Sequence, residues 1–118
     1  MNYLKAIQEI SGIIPNIEEE LEEKKIQSSY SVINAFTNRI KTMIVQKERN
    51  LLFKSLKKMN DIYRNGDIML KYAVECTFIY SLDNSTTFCS PEYRKLIFSH
   101  ISNDLQKLYS RQIYSHGI

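Results

Sequence analysis

Two histidines, two cysteines and thirteen carboxylates are the side chains through which this chain of 118 residues could perform acid–base or nucleophilic chemistry. His100 is followed four residues later by Asp104, the helical spacing at which a carboxylate can orient an imidazole as a general base. Such a pair also needs a nucleophile or a bound substrate, and no third residue at matching spacing supplies one, so a surface hydrogen bond is the preferred reading. His116 lacks even the carboxylate. Glu75 interrupts the apolar run Tyr72 to Tyr80, and a buried, unpaired acid there would have its pKa raised as functional acids do. Lys71 and Asp67, at successive four-residue steps before it, favour a polar helix edge leading to solvent. Cys76 and Cys89 are twelve residues apart and make no C-x-x-C pair, which gives neither a zinc nor a redox motif; Cys76 reads as a small buried hydrophobe. No G-x-S-x-G, phosphate loop, dinucleotide fingerprint or H-E-x-x-H occurs. No catalytic residue, metal or cofactor is assigned, and an enzyme or small-molecule binder with an unrecognised pocket is the disfavoured class.

Two binding features remain. Lys54, Lys57, Lys58 and Arg64, joined by Arg49, form a basic stripe that could contact phosphates of a nucleic acid. No helix-turn-helix, RNP motif or zinc finger accompanies it, and a lysine-rich outer face also keeps an amphipathic helix soluble. Eight tyrosines without a tryptophan give much amphipathic aromatic surface, of a kind enriched at protein interfaces. Tyr93, Tyr109 and Tyr114 are the interface candidates, with another protein or a second copy of this chain as partner, ahead of nucleic acid. Net charge is +3, divided between an acidic head, residues 1–27, and a basic body, residues 28–118. That basic excess permits an anionic partner without requiring one.

The elements that must position these residues are helical throughout. A hydrophobic fraction of 43%, with three Gly and two Pro, suits one domain over residues 1–118 with a single core and few long loops. Apolar spacing predicts a first helix from Asn2 to about Ile13, stopped by Pro15. A short acidic helix follows, with Asn16 and Glu19 imitating a capping box and the glutamates at its positive end. Tyr30 to Lys47 and Arg49 to Arg64 read as an amphipathic hairpin. Asn65 and Gly66 are expected to supply left-handed backbone for a C-cap, with Asp67 capping the next helix. That helix, Ile68 to Leu82, carries apolar residues around nearly its whole wheel and is expected to be the central, most buried one. Asp83 to Cys89 reads as a turn, Ser90–Pro91 as a helix start, and Ser102 to Asp104 as a break before the closing helix; Ser115 to Ile118 should fray. The fold expected is all-α, five or six helices in an irregular bundle or a short HEAT-like solenoid. No secretion signal and no apolar run of the ~20 residues that span a bilayer is visible, so a cytoplasmic location with no membrane contact is expected.

The pattern Ile14-Pro15-Asn16-Ile17-Glu18-Glu19-Glu20, then Tyr30-x-Val32 with Phe36 and Ile40, then Asn65-Gly66-Asp67 with Ala73-Val74 and Phe78, resembles a bacterial family of small helical proteins known only as a domain of unknown function. The resemblance covers about three quarters of the chain and implies no catalytic residue. Some proteins of this kind look like immunity proteins that sit beside secreted toxins, which implies non-enzymatic binding of one specific protein.

Overall fold

The computed structural model describes residues 1–23 and 28–114, with the side chains of Glu23 and Tyr114 outside that description; the expected fraying of residues 115–118 also lies outside it. Among the described residues the chain forms seven helices and no strand. They are α1 (Tyr3–Ser11), α2 (Ile17–Glu23), α3 (Ser29–Gln46), α4 (Arg49–Asn65), α5, α6 (Pro91–Ser99) and α7. Helix α5 runs without a break through Ile68–Ala73, a π-helical turn Val74–Phe78 and Ile79–Thr86. Helix α7 joins Asn103–Tyr109 to a second π-helical turn, Ser110–Tyr114.

Local chemistry sets most of these boundaries. Asn2, Ser28, Asp67, Ser90 and Ser102 each accept, through the side chain, a backbone N–H three residues on, satisfying donors the first turn would leave orphaned. Pro91 occupies the first turn of α6, where its missing N–H costs nothing. The turn between α3 and α4 closes on Lys47 in the left-handed region (φ 57°), the one non-glycine residue with positive φ among those described. Gly66 departs from expectation: its backbone is extended (φ −71°, ψ 155°), and a Cβ there would lie 2.5 Å from the Ile62 carbonyl oxygen and 2.9 Å from the Leu70 Cβ. Close approach of α5 to the end of α4, not left-handed backbone, requires the glycine.

The helices form an irregular bundle about α3, which packs against α1, α2, α4 and the whole length of α5. One continuous cluster of buried side chains draws on all seven helices, with Phe36, Ile33 and Ile40 of α3 and Phe78 of α5 fully buried in it. Polar clasps fix the periphery. Glu20 and Arg39 pair at 3.0 Å between α2 and α3. The Asn60 side-chain amide donates to the His100 carbonyl at 2.9 Å and accepts from the Ser102 N–H at 3.0 Å, holding the α6–α7 turn on α4.

Two expectations about α5 are corrected. It does not end at Leu82: Thr86 and Thr87 hydroxyls donate back to carbonyls of Leu82 and Asp83, and the Asp83 carboxylate is engaged by Arg94, so the polar segment continues as helix to Thr86. Nor is it the most buried helix. Leu70, Ala73, Val74, Phe78, Ile79 and Leu82 face the core, but the opposite edge is open to solvent.

Candidate functional site

That open edge is built from apolar and aromatic side chains. Ile68 is 81% exposed, Met69 62%, Tyr72 63% and Tyr80 40%, with Cys76 also exposed between the two tyrosines. Residues four apart on an α-helix overshoot one turn by about 40°, so a row at this spacing should drift around the axis. The wider π-helical turn at Val74–Phe78 takes up part of the drift, and the row stays on the solvent side from Ile68 to Tyr80. Cys76, expected to be buried, lies in this row; a hydrogen bond to its thiol is the main cause that raises the Tyr72 hydroxyl pKa. The expected polar edge stands beside the row. Lys71 sits 5.9 Å from the centroid of the Tyr63 ring, and the half-buried Glu75 accepts a hydrogen bond from the Tyr63 hydroxyl at 2.9 Å. Desolvation, with that bond second, pushes the Tyr63 hydroxyl up to about 12.

The tyrosines singled out by sequence occupy other places. Tyr93 and Tyr109 are buried at 6% exposure each, and Tyr114 falls in the last turn of α7. Tyr109 completes a polar cluster joining three helices: its hydroxyl accepts from Arg94 Nη2 at 2.6 Å and donates to Asp83 Oδ1. Burial and the Asp83 bond push that hydroxyl up to about 12, since ionising it would strand a second negative charge beside the carboxylate. Exposed tyrosine surface lies instead at Tyr30, Tyr72 and Tyr80.

The basic stripe is divided. Lys54, Lys57 and Arg64 are exposed on the outer face of α4, with Asp61 between them. Lys58 turns to α1 and pairs with Glu9 at 2.9 Å, a contact that holds the Glu9 carboxyl below its usual range. Arg49 lies at the start of α4, its guanidinium carbon 5.1 Å from the centroid of the Tyr93 ring. Two residues first considered for different partners are thus brought together, 44 positions apart. They line a cavity of about 330 Å³ between the α3–α4 turn and the α5–α6 connection.

Of the two histidines, His116 lies outside the described residues and His100 is held in a structural role. The His100 ring stacks on Phe53 at 3.9 Å between centroids, and its Nδ1 lies 2.9 Å from the Leu96 carbonyl oxygen, so its contacts are to these groups rather than to Asp104. Among the described residues no group of three His, Cys, Asp or Glu side chains is arranged to hold a metal ion. No helix formed by them is long and apolar enough to cross a membrane.

These features define a small all-helical protein with a one-sided apolar helix edge and polar clasps between its helices. The chain belongs to the family described as Domain of unknown function (DUF7674), whose model matches residues 7–115. Comparison with curated proteins and with solved structures yields no match.

Proposed function

We propose that this member of the family is a non-enzymatic protein-binding module that docks one specific protein on the outer edge of α5. The observation carrying this reading is the row Ile68, Met69, Tyr72 and Tyr80, four large apolar or aromatic side chains left exposed on one side of one helix. Met and Tyr are enriched at interface cores, and a contiguous apolar face held in water is stabilised when a partner covers it. Tyrosine adds a hydroxyl that remains solvated or bonded at the rim. A partner relationship like that of helical immunity proteins, which sit beside secreted toxins, fits this reading and needs no catalytic group.

The test is capture from nuclease-treated source-cell lysate with wild type, with Met69→Glu/Tyr72→Glu, and with Lys54→Glu/Lys57→Glu, alongside light scattering of each purified protein. One stoichiometric protein, or a second copy, held by wild type and the lysine variant but lost from the α5 variant is the expected result. Capture indifferent to the α5 variant contradicts the reading. Retention of nucleic acid that weakens steeply with salt and is abolished by the lysine variant would replace it with nucleic-acid binding through α4.

A further inference from the structure

The cavity beside Arg49 and Tyr93 is separate from the α5 edge and has the composition of a ligand site. Its apolar wall comes from Ile44 and Val45 of α3 and from Phe88 in the α5–α6 connection. Val45 is 78% exposed and Phe88 95%, so two large apolar side chains with little else to cover them stand on the border of the same hollow. Its charge comes from Lys47 and Arg49, and among the described residues no carboxylate lines it. Arg49 has no carboxylate partner among the described residues; its guanidinium is held against the Tyr93 ring. Ser85 and Tyr93, two of the residues lining it, carry buried hydroxyls without a hydrogen-bond partner among the described residues. Buried polar groups are rarely left unpaired, because each forfeits its hydration for nothing in return. Tyr93 is more than nine-tenths buried, and its ring carries the Arg49 guanidinium at this cavity.

We propose that this cavity binds a small amphipathic carboxylate, its apolar part between Ile44, Val45 and Phe88 and its carboxylate on Arg49 and Lys47. The volume is at the lower end of the range for ligand sites, which selects a short chain or a single ring over a nucleotide. An arginine fork matches a carboxylate geometrically, and the apolar wall disfavours a bare inorganic anion.

The probe is octanoate, titrated into the full chain and followed by amide shifts in a ¹⁵N-labelled sample, with octanol and octylammonium as neutral and cationic controls. Saturable shifts centred on Ile44, Ser85, Phe88 and Tyr93 are expected, with both controls at least about tenfold weaker, the cost of losing one charge-assisted pair. Arg49→Gln, at an exposed position, weakens octanoate by about tenfold and leaves octanol unchanged. Octanol binding as tightly as octanoate, indifference to Arg49→Gln, shifts centred elsewhere, or no saturation by about 10 mM would each overturn the proposal. None of these outcomes bears on the α5 edge.

Discussion

The Tyr109 hydroxyl donates a hydrogen bond to the Asp83 carboxylate across 26 positions of sequence, while accepting one from Arg94. The cluster fastens the end of α5 to α6 and α7, and Arg94 extends it by donating to Thr86 Oγ1 at 3.2 Å and lying 4.8 Å from the Phe98 ring centroid. Tyr109→Phe removes the hydroxyl but keeps the ring, so the loss isolates the hydrogen bonds. A decrease of about 2 kcal/mol in unfolding free energy is expected by urea denaturation, as for bonds to charged groups.

The same hydroxyl makes stability depend on alkaline pH. Tyr63 and Tyr109 ionise at about 12 in the folded protein against an ordinary value of 10.0. A raised folded pKa means that the unfolded chain releases its protons first as pH rises. The stability from these shifts is therefore whole below pH 10 and lost between about pH 10 and 12. Tyr109→Phe should flatten that decline by on the order of 2 kcal/mol, measured as the wild-type minus variant difference across the window. An unchanged slope would mean that neither burial nor the Asp83 carboxylate acts on the Tyr109 hydroxyl.

Boundaries were legible where their cause is local. Asp67 and Ser90 with Pro91 carry their capping chemistry within three residues and are legible as helix starts, whereas the break read over Ser102 to Asp104 is shorter than expected, the helix restarting at Asn103 with Ser102 as its cap. The bundle's centre and outer edge were not legible, because a helical wheel assumes one uniform turn. Met69, Tyr72, Cys76 and Tyr80 filled the α5 wheel in projection, but α3 covers one side only and a π-helical turn keeps the other in register. Tyr93 and Arg49 were both noticed, yet only the packing of α6 against the α3–α4 turn could put them side by side.

At Gly66 the difference between backbone conformation and packing is measurable. Gly66→Ala should destabilise by about 2 kcal/mol, because the added Cβ meets backbone oxygen and a core leucine rather than a yielding side chain. Were the residue needed only for its extended backbone angles, alanine would be accepted without loss.

Lys47 offers the opposite case. A lysine at φ 57° and ψ 39° carries a left-handed penalty that glycine does not. Lys47→Gly should raise the urea midpoint by the equivalent of about 0.5 kcal/mol, the relief being partly offset by glycine's larger freedom when unfolded.

On the α5 edge, function and stability should separate. Met69→Lys/Tyr72→Lys touches no core contact and should leave the unfolding free energy within about 0.5 kcal/mol of wild type. A loss of several kcal/mol by thermal or urea denaturation would mean that these side chains hold up the fold.

The most direct test of the docking surface is photo-crosslinking in living source cells, with benzoyl-phenylalanine replacing Tyr72 in one strain and Lys54 in another. The account predicts one dominant protein adduct from position 72, a distinct partner or a second copy of the chain, and none from position 54. No adduct at 72, or a nucleic-acid adduct at 54, would contradict it.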